Sequence, residues 1–234
     1  MDAVNALVVA EPYLGSELAG LTLLLGLIRL AGPERGRMLL AGAMLLPVLP
    51  AVPLLDADYW VPRRLGGLPV GIEDVLYVVQ IGAAAWFFAT RAGHFEPNPA
   101  AGGRIGMRRL ALLMLAALPV WTALAVAWSN WSDALLVTVL TVGLALLARR
   151  PDQLAAALTG GIGTALWFGV QLRLWNLIWP ELPGWWSPGT WTSTPVLGVP
   201  IGDLAYAGVI GAVHPLALAT LLDGRFVRRR GAQT

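Results

Sequence analysis

The sequence predicts an all-α polytopic membrane protein: seven transmembrane helices, arranged as two parallel three-helix repeats joined by a linking helix. Three observations predict it. The 234 residues are 57% hydrophobic and only 13% charged, which is membrane rather than soluble composition. Apolar runs of about 20 residues, the length that crosses a bilayer, recur along the chain. And one stretch in each half reads alike: Trp60-Val61-Pro62, Gly67-Leu68-Pro69 and Ile72-Glu73-Asp74-Val75-Leu76-Tyr77, against Trp186-Ser187-Pro188, Gly198-Val199-Pro200 and Ile201-Gly202-Asp203-Leu204-Ala205-Tyr206.

The spans fall at about 14–32, 38–55, 70–90, 109–128, 132–149, 153–179 and 199–222. The second carries Pro47, Pro50 and Pro53, each removing a backbone donor and kinking the helix. The third and seventh follow the two similar loops and carry acids one turn inside. The fourth links the halves and the fifth follows it closely. The sixth holds Gly160-Gly161-Ile162-Gly163; with no strand before it, this is a helix-packing surface rather than a phosphate loop. The N-terminus has acids and no positive region, so no cleavable signal is expected. Residues 1–92 form the first repeat, 93–130 a cytoplasmic loop and linking helix, and 131–234 the second repeat with its tail.

Arginine placement orients the chain. Arg29, Arg35, Arg37, Arg91, Arg104, Arg108, Arg109, Arg149, Arg150, Arg225, Arg228, Arg229 and Arg230 fall on one side, and only Arg63 and Arg64 in the opposite loops. The positive-inside rule places the N-terminus outside and the C-terminus in the cytoplasm. The basic tail reads as a topology anchor touching anionic lipid. An odd three-helix unit plus one linking span leaves both units in the same orientation, hence parallel repeats. Both similar loops then lie outside, and the acids of the third and seventh helices face each other near the outer leaflet.

Those acids are the main candidates for chemistry. Glu73, Asp74 and Asp203 sit about one turn into otherwise apolar helices. Acids cap helix N-termini, but capping does not require the tyrosine that follows three residues later in both halves, Tyr77 and Tyr206. Ionisable groups inside a membrane are costly and are kept for function. Desolvation and a second carboxyl nearby favour the neutral form of one acid, which could donate a proton while its partner accepts one.

Trp60, Trp128, Trp131, Trp175, Trp179, Trp185, Trp186 and Trp191 gather toward the outer side. An interface belt has two rims, and here the inner rim is nearly bare. An aromatic-lined cavity stabilises a cation through the ring quadrupoles. Arg173, late in the sixth span, either snorkels to the interface or pairs with one of the acids. Asn176, one turn on, either ends the helix or orients an acid. Asp56 and Asp58 are expected in solvent.

Absences narrow the chemistry. There is no cysteine and only His94 and His214, so disulfides, iron–sulfur clusters and poly-histidine metal centres are excluded. Every basic residue is arginine, which excludes Schiff-base chemistry on lysine. No DDxxD or DxDD segment and no Rossmann fingerprint occurs. The net charge of +2 is modest, and no nucleic-acid partner is expected. What remains is a reaction begun by a protein acid, with no metal and no cofactor.

The run Trp175-Asn176, Trp186-Ser187-Pro188, Thr192, Leu197-Gly198-Val199-Pro200-Ile201 and Asp203 resembles the lycopene cyclase domain of heterodimeric and fused cyclases, as does Ile72-Glu73-Asp74-Val75-Leu76-Tyr77. Gly202 stands at the first acid of the second motif and Gly71 at the proline of the first. Trp179-Pro180-Glu181, Ser187-Pro188 and Asp203 are also similar to the last third of the seven-helix membrane-bound meroterpenoid cyclases. The resemblance implies a terpene cyclase that folds a linear isoprenoid after protonating an alkene or epoxide. The implied substrate is a prenylated small molecule such as a farnesyl-indole, with a lycopene-type carotenoid as the alternative; an upstream prenyltransferase or epoxidase would supply it. The expected donor is Asp203, with Glu73 or Asp74 as its partner. Tyr77, Tyr206, Trp60, Trp175, Trp179, Trp186, Asn176 and Arg173 are expected to surround the cation. A small lipid or isoprenoid transporter, and a scaffold that binds without turnover, are the alternatives from other classes.

Overall fold

A computed structural model of the chain describes residues 11–56, 58–98, 104–187 and 191–228, with backbone alone at 104–107, 109 and 110. Pro188 of the second motif and Arg229 and Arg230 of the tail lie outside the described residues. Among the described residues eight α-helices follow in order: α1 (Pro12–Leu30), α2 (Arg35–Ala43), α3 (Val52–Asp56), α4 (Ile72–Ala89), α5 (Arg104–Trp128), α6 (Trp131–Arg149), α7 (Leu154–Ile178) and α8 (Ile201–Leu221). Among the described residues, seven helical segments are long and apolar enough to cross a membrane, the second running from Gly32 to Asp56 through α2 and α3. This suits an integral membrane protein.

Local sequence explains the boundaries. Pro12 opens α1 at a first-turn position, where its missing N–H costs nothing. The second span breaks as its prolines demand: α2 ends at Ala43, a 3-10 segment runs Leu46–Ala51, and α3 resumes at Val52. The side chain of Asn130 accepts from Asp133 N at 2.7 Å and caps α6.

Helix α4 is the most buried of the spans and packs against α1, α2, α7 and α8. The closest pairing is α7 with α8, and the glycines of the sixth span account for it. A Cβ at Gly160 would stand 2.3 Å from Gly211 O, and one at Gly161 2.9 Å from Gly208 O. Backbones this near need glycine on both helices, and close packing is what holds helices together in lipid.

Two ends result. At the arginine-rich end, β1 (His94–Pro97) pairs antiparallel with β4 (Gly224–Val227), His94 opposite Val227. Trp86 is fully buried there against Phe95 and Phe226. At the other end, a short hairpin of β2 (Pro195–Val196) and β3 (Val199–Pro200) turns through Leu197 and Gly198, both at positive φ, the backbone of a tight hairpin turn. This end also carries the two similar loops, which meet. Trp60 and Trp186 form an isolated antiparallel bridge, with Val61 N donating to Trp185 O and Ser187 N to Tyr59 O, both at 2.9 Å.

Candidate functional site

Asp74, three residues into α4, is saturated with donors. Its Oδ2 accepts from Arg64 Nε at 2.6 Å and from Gly71 N at 2.7 Å. Its Oδ1 accepts from Tyr13 OH and Arg64 Nη2, both at 3.1 Å. Arg64 reaches back to Asp56 through Nη1 at 2.6 Å and Nη2 at 3.0 Å. The Arg64 and Asp74 side chains are both nearly inaccessible. Burial disfavours the Arg64 charge, but the hydrogen bonds from both aspartates and their charges outweigh it and hold its pKa above the ordinary arginine value. Asp74 thus combines the N-terminal capping role with a buried ion pair, and neither oxygen is left for a ligand.

Asp203, the corresponding residue of α8, is held differently. Its Oδ1 accepts from Tyr59 OH at 2.5 Å, while its Oδ2 is buried with no hydrogen-bond partner among the described residues. The indole N–H of Trp186 stands beside the same carboxyl without reaching full hydrogen-bond geometry to it. Burial first, then the neighbouring Asp203 carboxyl, keeps the Tyr59 phenol well above the ordinary tyrosine range. Asp203 is 6% exposed.

Around this carboxyl the aromatic rings form one connected shell. Trp60 stacks on Trp186 with centroids 6.0 Å apart and planes at 24°. Tyr13 meets Trp60 edge-on at 4.8 Å, and Tyr59 leans on Tyr206 at 5.1 Å. Tyr77 lies 6.5 Å from Trp60 and meets Phe168 edge-on at 5.6 Å, and Phe168 meets Trp175 edge-on. Trp175, Trp179 and Trp186 are buried in the same cluster, with Ile81 and Leu172. Such a shell can flank a positive charge with ring faces while excluding water.

Several expectations are corrected. Asp74 and Asp203 do not meet: each is engaged by its own donors, and Tyr77 stands where it interacts with both. The phenol bonded to each acid is not the one three residues on but one nearer the N-terminus, Tyr13 for Asp74 and Tyr59 for Asp203. The cation paired with Asp74 is Arg64, not Arg173; Arg173 is exposed and lies against Gly198, where a Cβ would stand 2.7 Å from its Nη1. Asn176 orients no acid, because its Nδ2 donates to Gly198 O at 3.0 Å. Asp56 and Asp58 are not free in solvent: Asp56 holds Arg64, and Asp58 Oδ2 accepts from Trp131 N. Glu73 is fully buried, with Oε1 on Leu65 N at 2.7 Å and Oε2 against the loop, where a Cβ at Gly71 would stand 2.1 Å away.

Sequence reasoning missed Glu17. It is fully buried in α1, where Gln80 Nε2 donates to its Oε2 at 2.6 Å and its Oε1 has no partner. The available signal was a lone acid inside the first apolar span, with Gln80 and Gln171 as further polar residues inside apolar helices.

Comparison with protein-family models, with curated proteins and with solved structures finds no match. The resemblance to cyclases therefore rests on the motif residues alone.

Proposed function

We propose that the protein is a membrane-embedded terpene cyclase. The observation that supports this best is Asp203: a buried carboxyl with one oxygen fixed by Tyr59, the other unpartnered, and aromatic faces around it. In this reading the Asp203 carboxyl gives its proton to a terminal alkene or epoxide of a linear isoprenoid. Protonation consumes that alkene's electron pair, or breaks the epoxide C–O bond, and leaves a cation. The electron pair of the next alkene along the chain closes the ring and carries the cation onward between Trp60, Trp186, Tyr77 and Tyr206. No redox step occurs, because product and substrate are isomers. The substrate is a prenylated small molecule that enters from the lipid. With the N-terminus outside, as the arginine distribution directs, this aromatic shell lies under the outer leaflet.

The reading is tested by incubating purified protein with linear prenyl-indoles, their epoxides and lycopene, then searching for new compounds of unchanged mass. A cyclised isomer of a prenylated small molecule is the expected product. Recovery of every substrate unchanged, bound or moved across the bilayer, would overturn the reading in favour of a scaffold or a transporter.

A further inference from the structure

A cyclisation begun by Asp203 must also end, and the terminal carbocation needs an oxygen lone pair to take its proton. The sequence assigned the partner to Glu73 or Asp74. Asp74 has both oxygens committed to Arg64, Tyr13 and the Gly71 amide. Glu73 is tied to the loop through Leu65 N, and its second oxygen, although unpartnered, lies against the loop at Gly71. Neither offers a free oxygen beyond the loop end of α4.

Glu17 does. It enters from α1, which packs on α4. Gln80 fixes its Oε2 and leaves Oε1 free. Beside the bond from Gln80, the carboxyls of Asp74 and Glu73 act on it electrostatically. The two phenols that interact with Glu17 are Tyr13 and Tyr77, and both belong to the shell around Asp203: Tyr13 through Trp60 and Trp185, Tyr77 through Trp60 and Phe168. The chain makes room for the arrangement at Gly20, where a Cβ would stand 2.0 Å from Gln171 Nε2 and 2.2 Å from Gln80 Oε1. Gln171 in turn donates to Gln80 Oε1 at 3.4 Å.

Depth matters as well. Asp203 and Asp74 both lie three residues into their helices, whereas Gln80 lies six residues past Asp74, roughly 9 Å further along the axis. Glu17 therefore sits below the level of the starting acid, with Tyr77 between them. At about 1.5 Å per C–C bond, the carbon that loses a proton there is several bonds from the one that gained it.

We infer that Glu17 is the second proton-exchanging carboxyl of this site and takes the terminal proton of the cyclisation. This rests on the cyclase reading above. The step balances: the electron pair of a C–H bond next to the cationic carbon becomes the new C=C, the proton passes to Glu17 Oε1, and its return to Asp203 closes the cycle without a co-reactant. Gln80 is a positioning residue, holding Oε2 and leaving Oε1 unpartnered.

The test compares wild type with Glu17→Met and Glu17→Gln on a prenyl-indole substrate, reading the ratio of isomass alkene to water-quenched alcohol. A ratio is independent of how much of each variant folds. In Glu17→Met, Gln80 Nε2 keeps its bond to the residue-17 carbonyl, 3.1 Å in the wild type, so the helix pair retains a hydrogen bond. The alkene-to-alcohol ratio is expected to fall by roughly tenfold or more in Glu17→Met and by less in Glu17→Gln, which keeps one side-chain oxygen. An unchanged ratio in Glu17→Met overturns the assignment. So does complete recovery of substrate by folded Glu17→Met, because Glu17 would then act before the cation forms. Failure of the wild type on every isoprenoid is a different result: it removes the cyclase reading itself.

Discussion

Trp60 and Trp186, which hold the same place in the two similar sequence segments, pair with each other. They form an antiparallel bridge, and their rings stack at 6.0 Å. The flanking bonds exchange equivalent positions: residue 61 donates to 185, and 187 to 59. This reciprocal pattern is that of an antiparallel bridge, and it joins the two segments that read alike in sequence. Two loops from opposite halves are thereby closed over Asp203. Aromatic pairs contribute about 0.5–1.5 kcal/mol beyond burial. A double-mutant cycle of Trp60→Leu and Trp186→Leu, read by thermal denaturation in detergent, is expected to show coupling of that size. Strict additivity would mean that the rings touch without supporting one another.

Arg64 is the next testable element. Its guanidinium joins the end of α3 to the start of α4 through Asp56 and Asp74. Removing one partner of a buried ion pair strands the other, at about 3–5 kcal/mol. Arg64→Met is therefore expected to be strongly destabilised, and Arg64→Met with Asp74→Asn to recover part of the loss. Equal melting temperatures for wild type and Arg64→Met would show that the pair is dispensable. The sign with pH is also fixed: an arginine pKa raised above its ordinary value contributes stability that is complete below the unfolded arginine value, so this element stays constant across ordinary working pH.

Tyr59 supplies the pH-dependent case. Its folded pKa is raised, so its contribution is complete below the unfolded tyrosine value of about 10 and is lost as pH rises beyond it. The stability difference between wild type and Tyr59→Phe is expected to narrow above about pH 10, by at most about 1.4 kcal/mol per pH unit. A difference that widens with alkalinity contradicts the Tyr59–Asp203 bond.

Gly20 and Gly26 make a controlled comparison within α1. A Cβ at Gly20 collides with the amides of Gln80 and Gln171, whereas nothing lies within 4 Å of one at Gly26. Gly20→Ala is expected to cost about 1–3 kcal/mol. Gly26→Ala is expected to be neutral or to gain up to about 1 kcal/mol from helix propensity. Thermal denaturation of both variants decides it; the reverse ranking would show that the two glutamines are not packed around residue 20.

The spans were legible because bilayer crossing imposes length and apolarity directly on sequence. Predicted ends at 70–90 and 199–222 became Ile72–Ala89 and Ile201–Leu221, and Pro47, Pro50 and Pro53 marked the broken span. Asp203 and the tryptophans were legible for a similar reason: a carboxyl in an apolar helix stands out. The partners were not, because they come from residues far apart in the chain. Tyr59 is 144 positions from Asp203, and Tyr13 is 61 from Asp74. Arg64 looked like an ordinary loop arginine, since no periodicity marks a side chain that turns inward from a loop. Glu17 was masked by the apolar run around it.

The central claim is that the Asp203 carboxyl gives a proton to an isoprenoid inside the aromatic shell. Its most direct test is the rate of isomass product formation by Asp203→Asn, which preserves side-chain shape but lacks an acidic proton, against wild type at matched folded concentration. The account predicts a loss of roughly a hundredfold to ten-thousandfold with little change in melting temperature. Product formation by Asp203→Asn at the wild-type rate would contradict it.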